Sequence, residues 1–172
     1  MKKEIKVFIG MGSNIEPFNN IKNACILINE KIKILKISTF YRTEPIGGVI
    51  QPDFINGTVE AETDLTPEVL KNILLEIEKK LGRKRVPDKY SARTIDLDIL
   101  LFGDIVIKNG FLEIPDPDIY RRYFLAYTLN ELEPELILPD FGRSISSVCA
   151  EFKNVFFKPE IGFTAELKDL LK

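Results

Sequence analysis

The chain of 172 residues contains no histidine, no tryptophan and only two cysteines. Without histidine, the side chain that ordinarily changes charge between about pH 5 and pH 8 is missing, and so is the commonest zinc ligand. Acid–base work therefore falls to carboxylates, and any turnover at saturating Mg²⁺ is expected to show no side-chain pKa near the usual histidine value of about 6.5. Cys25 falls on the apolar stripe of an expected helix, and Cys149 lies far away in sequence with no Cys-x-x-Cys pattern. Both read as core packing, which argues against zinc and thiol chemistry. No apolar run is long enough to span a bilayer, and neither Met1-Lys2-Lys3 nor any later segment has the pattern of a secretory leader, so a cytoplasmic location is expected. A net charge of −2 and a pI near 5.4 supply no global basic field for nucleic acid. A glycine-rich phosphate cradle is also missing: Gly10-x-Gly12 is followed by Ile15 where a dinucleotide fingerprint requires a third glycine, and no Walker pattern occurs. Any phosphate site must be built locally from metal and arginine.

What is present reads as one domain over residues 1–172, with a core from about 4 to 150 and a tail, 152–172, to which the pattern assigns no element. Ile5, Val7, Ile9 and Met11 alternate as a first strand. Asn14 and Pro17 open a helix with apolar positions Ile21, Ala24, Cys25, Ile28 and Ile32. Leu35, Ile37, Thr39 and Tyr41 mark a second strand, and Phe54 to about Thr63 a third. Thr66 and Pro67 cap a second helix with the stripe Val69, Leu70, Ile73, Leu74, Ile77 and Leu81, which Gly82 ends. The strand bearing Asp96 follows. This order is that of the ferredoxin-like βαββαβ unit, an α+β fold in which helices cover one face of an antiparallel sheet. Asn109-Gly110 between two apolar runs signals a tight hairpin that extends the sheet. Further helices are expected before Pro134 and after Ser144.

The chemistry concentrates in Arg93-Thr94-Ile95-Asp96-Leu97-Asp98-Ile99-Leu100-Leu101-Phe102-Gly103, otherwise a buried strand. Side chains two apart on a strand share a face, with Cα atoms separated by roughly 6.6 Å. Two anions at about 7 Å repel by about 2.4 kcal/mol at an effective dielectric of about 20. A hard divalent cation reverses that sign, taking oxygens from one or two carboxylates and leaving its other positions to water and phosphates. An acidic face on a half-exposed edge strand is the structural alternative. The loop Arg83-Lys84-Arg85-Val86-Pro87-Asp88-Lys89-Tyr90-Ser91-Ala92-Arg93 weighs against that alternative by bringing five cations to the start of the aspartate strand. Charge runs are often only solvated, but here Arg83, Arg85 and Arg93 are placed to clamp phosphates, which a guanidinium does better than an ammonium. Phe54 and Asn56 share a strand face, opposite Ile55 and Val59, a pairing that suits a flat heterocycle as well as ordinary packing. Glu78 sits at the rim of the second helix's stripe, where most glutamates simply reach solvent.

The aspartate strand, with Phe40-Tyr41-Arg42-Thr43-Glu44-Pro45-Ile46-Gly47 and Gln51-Pro52-Asp53-Phe54-Ile55-Asn56, resembles the 6-hydroxymethyl-7,8-dihydropterin pyrophosphokinases of folate biosynthesis, from Ile9 to about Pro139. The resemblance implies a usually monomeric α/β sandwich that moves the pyrophosphoryl group of ATP onto the pterin hydroxymethyl group and releases AMP, with neither nucleic acid nor membrane as partner. It implies that Asp96 and Asp98 hold two Mg²⁺ ions and that Arg83 and Arg93 serve catalysis. Thr43, Pro45, Ile46, Phe54, Asn56 and Phe124 would bind the pterin. Glu78, Arg85, Tyr90, Arg93, Ile99, Asp116 and Arg122 would contact ATP. Asp116 stands where the family commonly has a histidine, and Phe111 where it often has arginine. Asp116 is expected to face the ribose or base, or to pair with Arg121 or Arg122. Two other readings of a ferredoxin-like sheet remain. A nucleotidyl transferase or cyclase would use the same aspartates to release pyrophosphate, and an RNA-recognition module would use the basic loop. Removing either aspartate is expected to leave the metal-free protein no less stable, because repulsion is relieved.

Overall fold

In the computed structural model, which describes residues 4–48, 50–84, 86–88 and 90–172, the first strand is β1 (Ile5–Ser13) and the first helix α1 (Pro17–Asn29). There follow β2 (Lys33–Ile37), β3 (Tyr41–Thr43), β4 (Phe54–Thr63), α2 (Pro67–Lys80) and β5 (Asp96–Phe102). These strands form one antiparallel sheet in which β1 lies between β4 and β5, while β2 and β3 pair with successive halves of β4. This is the expected ferredoxin-like order, with one difference: the expected second strand is two. Between its halves, Phe40 turns fully into the core and lies against Gly57, where an added Cβ would stand 2.7 Å from the ring. Ser38 bridges the break, its hydroxyl accepting from Thr58 N–H at 2.9 Å while its own N–H donates to the Thr58 carbonyl at 2.9 Å.

Alternation along the strands makes two cores rather than one. Val7, Ile9, Met11, Leu97, Ile99 and Phe102 face α1 and α2, whose Ile21, Cys25, Ile28, Leu70 and Leu74 are buried against them. Phe8, Leu100 and Leu101 face the opposite way, against α3 (Tyr123–Leu132) and α4 (Ile145–Glu151). A β-bulge between Phe8 and Ile9 lets Leu100 and Leu101 both enter this second core. Helices thus cover both faces, not one. Each fully buried Leu, Ile or Phe contributes roughly 1.5–3 kcal/mol by leaving water, so both layers hold the sheet firmly. Thr66 caps α2 as expected, accepting from Val69 N–H, and Gly82 follows its end at φ 78°. Asn14 does not cap α1; its side chain is used at the loops described below.

Past β5, β6 (Ile107–Lys108) and β7 (Glu113–Ile114) form a separate ribbon and do not extend the main sheet. Asn109-Gly110 does turn the chain, but in a four-residue loop. Asn109 Oδ1 accepts from the N–H groups of Phe111 and Leu112, at 3.1 and 2.8 Å, supplying by side chain what a tight turn supplies by backbone. A 3-10 turn (Pro117–Tyr120) precedes α3, and a small ribbon of β8 (Ile137–Leu138) and β9 (Arg143–Ser144) precedes α4, which Ser144 caps. The tail is structured: β10 (Lys158–Pro159) pairs with β3, and α5 (Ile161–Leu170) buries Phe163 and Leu167 in the α1 core.

Candidate active site

Where α3 and α4 stop covering the sheet, its exposed face becomes a cleft of about 760 Å³, counting its open mouth. The register builds its floor. Gly12 stands between Asn56 on β4 and Asp96 on β5, and Gly10 between Thr58 and Asp98, so the side chains of one face form adjacent rows. Both glycines line the cleft with Asp96, Asp98, Asn56 and Phe54. At Gly12 a Cβ would lie 2.5 Å from Asn56 Oδ1, so only glycine leaves that amide in place. The two glycines that fail as a dinucleotide fingerprint are thus the bare patch between the acidic and the aromatic halves. Strand register, not a loop motif, was the signal for them.

In the acidic half, Asp96 and Asp98 share a face as their spacing predicts. Asp96 accepts from Arg83 and, at 2.6 Å, from Arg93. Burial alone would raise its carboxyl, but Arg83 and then Arg93 outweigh that and hold it below the usual carboxylate range. Asp98 keeps a side-chain exposure of 48% and meets only the Lys71 ammonium, at 3.4 Å. Its crowded surroundings and then the neighbouring Asp96 charge push its carboxyl up, against the pull of Lys71. Lys71 was not foreseen; on sequence it is one polar residue beside an apolar stripe.

Glu78 does not reach solvent and does not line the cleft. Its carboxylate is buried, accepting from Leu97 N–H at 2.8 Å and from Arg83 at 3.2 Å. Arg83 also donates to the Ile95 carbonyl at 2.7 Å, so Glu78 and Arg83 lock the end of α2 to the start of β5. Ile99 likewise turns its side chain into the α1–α2 core and does not line the cleft. Arg85 and Lys89 lie outside the described residues.

Asp116 lines the cleft but pairs with neither arginine. It caps the 3-10 turn by accepting from Asp118 N–H at 2.8 Å, and Arg122 binds Asp118 instead, at 2.7 Å, with Arg121 at 3.8 Å. Burial, and after it the Asp98 charge, push Asp116 up to about 7. In the absence of metal this places a carboxyl in the range that histidine ordinarily occupies.

The aromatic half holds Phe54, Asn56, Thr43 and Ile46 with Phe124 from the first turn of α3. Asn56 Nδ2 donates to Thr43 Oγ1 at 2.7 Å. Pro45 is half-buried in the same loop but does not line the cleft. Arg93 joins the halves, its guanidinium 5.6 Å from the Phe54 ring centre while it binds Asp96. The two long loops meet at the mouth. Gln51 donates to the Tyr90 carbonyl at 2.6 Å, and Asn14 ties both by donating to Gln51 and Pro52 while accepting from Arg93 N–H.

Among the described residues no group of three or more His, Cys, Asp or Glu side chains is gathered to hold a metal alone. Two carboxylates beside arginines suit a hard cation that completes its shell with water and phosphate. The fold and cleft define a metal-assisted transferase of phosphate groups with a flat second substrate. The comparisons agree. The model of the 7,8-dihydro-6-hydroxymethylpterin-pyrophosphokinase (HPPK) family matches residues 8–134, and the chain belongs to that family. It is 36% identical over 155 residues to the 2-amino-4-hydroxy-6-hydroxymethyldihydropteridine pyrophosphokinase of Aquifex aeolicus, covering 90% of this chain and 91% of that one. Identity to the Haemophilus influenzae enzyme of the same name is 36% over 151 residues, 86% of this chain and 93% of the other. The crystal structure of Plasmodium falciparum HPPK-DHPS shares the fold, with a TM-score of 0.67 at 16% identity over 88% of this chain and 42% of that one.

Proposed function

We infer that the protein transfers the pyrophosphoryl group of ATP to the hydroxymethyl group of 6-hydroxymethyl-7,8-dihydropterin, giving AMP and the pterin diphosphate for folate synthesis. The observation that carries this reading is one continuous cleft with the paired carboxylates Asp96 and Asp98 at one end and Phe54, Asn56 and Phe124 at the other. In this reading Phe54 and Phe124 sandwich the pterin ring, and Asn56, released from Thr43, meets its polar edge. The substrate hydroxyl oxygen forms the new bond to the β-phosphorus, the bond from that phosphorus to the AMP oxygen breaks, and the hydroxyl proton passes to Asp98 Oδ or to water. Asp96 and Asp98 would hold two Mg²⁺ ions, which would supply charge neutralisation for the triphosphate.

Arg93 and Arg83 both bind Asp96; with a cation at Asp96, Arg93 would be available to the phosphates, where it would stabilise charge that develops in transfer. Arg122, Tyr90 and Asp116, which line the cleft, are read as nucleotide contacts, Asp116 toward its hydroxyl or amino groups, and Ile99 is carried by resemblance alone. Arg85 is carried as a further phosphate contact by resemblance alone. Glu78 acts through Arg83 and not on ATP. We further propose that the enzyme works in the cytoplasm as a monomer without nucleic acid; among the described residues no helix is long and apolar enough to cross a membrane. Incubation with ATP, Mg²⁺ and the reduced hydroxymethylpterin should yield AMP and a pterin diphosphate in equal amounts. Release of pyrophosphate instead of AMP would overturn the reading.

A further inference from the structure

The family match ends at residue 134, yet the tail beyond Phe152 packs against elements that line the cleft. Four sets of contacts hold it there. β10 pairs with β3 in the register Lys158 to Arg42 and Pro159 to Tyr41. Glu160 binds the Arg42 guanidinium at 2.8 Å, and its N–H donates to the Phe40 carbonyl at 2.8 Å. Phe157 stacks on Tyr123, with ring centres 5.3 Å apart, and meets Tyr41 edge-on at 4.4 Å and Tyr127 at 5.4 Å. Finally, the Tyr123 hydroxyl donates to the Phe156 carbonyl at 3.0 Å.

These contacts fall on two pieces of backbone that each carry lining of the aromatic half, β3 beside the Phe54 strand and the start of α3. β3 ends in Thr43, the partner of Asn56, and runs directly into the loop bearing Ile46. Tyr123 begins α3 and immediately precedes Phe124. A single ring, Phe157, touches both pieces through Tyr41 and Tyr123. At its far end the segment is anchored in the core: Thr164 Oγ1 accepts from Phe40 N–H at 2.9 Å, and Phe163 packs edge-on against Phe40 and Phe18. An anchored strap that bridges the two pieces fixes their separation, and separation decides whether a flat ring is held on both faces.

We propose that the segment 156–160 is a strap that sets the width of the pterin-binding slot, with Phe157 and Glu160 as positioning residues for the pterin and not for ATP. This rests on the assignment of Phe54, Asn56 and Phe124 to the pterin. Among the described residues the strap's contacts are with Phe40, β3 and α3 and not with Asp96 or Asp98, so the two substrates should respond differently when it is loosened.

The test uses the full chain, with fluorescence titration of oxidised 6-hydroxymethylpterin in the presence of a non-hydrolysable ATP analogue and Mg²⁺, and a separate titration of the analogue. Phe157→Ala should weaken pterin binding about tenfold while analogue binding stays within about twofold. Phe157→Tyr should restore pterin binding. Glu160→Gln, which keeps the side chain's shape and leaves the aromatic contacts intact, should give a smaller loss with the same selectivity. A tail that only adds stability would lower the unfolding temperature of Phe157→Ala and leave pterin affinity unchanged. That result, or equal weakening of both ligands, overturns the strap. Failure of the unmodified protein to bind the pterin at all would instead remove the pocket assignment on which the strap rests.

Discussion

Replacing Asp116 by Asn separates charge from shape at the position that stands in for histidine. Asparagine caps a turn as well as aspartate does, so the bond from Asp118 N–H is kept and only the ionisation is lost. In the unfolded chain the carboxyl releases its proton near about 3.9. In the folded, metal-free protein, burial and the Asp98 charge delay that release to about 7. Between these two values the folded state binds more protons than the unfolded state, so this group makes stability fall as pH rises through the window and level off above it. At full expression a shift of about three units corresponds to roughly 4 kcal/mol; relaxation and water in an open cleft reduce it to about 1–2 kcal/mol. Urea unfolding in the presence of a chelator should therefore give wild type and Asp116→Asn nearly equal stability close to pH 4. The variant should be more stable by about 1–2 kcal/mol at pH 8, with the difference growing across the window. Parallel stability curves from pH 4 to pH 8 would refute the placement of this carboxyl beside Asp98.

Asp96→Ala and Asp98→Ala should each lower turnover by orders of magnitude, but with opposite effects on the metal-free fold. Asp98→Ala should be no less stable than wild type, whereas Asp96→Ala should lose about 1–3 kcal/mol, because it strips a partner from the well-buried Arg83; equal unfolding midpoints would contradict this. Arg93→Ala and Arg83→Ala should both slow the chemical step in single-turnover experiments more than they weaken pterin binding, with a loss of stability for Arg83→Ala in addition; an unchanged chemical step in both would make the loop a connector only. Gly12→Ala should weaken binding of a pterin analogue at least about tenfold by displacing the Asn56 amide, and should leave the fold intact; unaltered affinity would show that the amide does not meet the pterin.

Legibility in the sequence followed periodicity. Strands and helices with a long apolar repeat, such as Ile5 to Met11 or Leu70 to Leu81, are placed as their patterns predict, because each has one face that must leave water. The break at Phe40 was not legible, since it depends on Gly57 across the sheet making room for a ring, a fact of register and not of local pattern. The second core was missed for a related reason. Phe8 on β1 and Leu100 on β5 take the opposite face by alternation, but the pattern gave no sign of helices there, and Leu101 joins them only because the bulge shifts the register. Tail residues Phe157, Phe163 and Leu167 are too few and too irregularly spaced to announce an element, and become one only by meeting β3 and α1.

At the site, the residue types were readable and their pairings were not. Two aspartates on a strand demand a cation, but the sequence does not say which cation fills the place when metal is absent. The structure gives Asp96 two arginines and Asp98 a single lysine at longer distance. This asymmetry turns the expectation of equal repulsion into two different carboxyls, one held below and one pushed above the usual range. If the two carboxylates hold metal as proposed, a cation at Asp98 would replace one ammonium at 3.4 Å, whereas one at Asp96 would compete with a guanidinium bonded at 2.6 Å, the same group that lies over Phe54. Arg93 would then couple any exchange of charge at Asp96 to the aromatic half of the cleft.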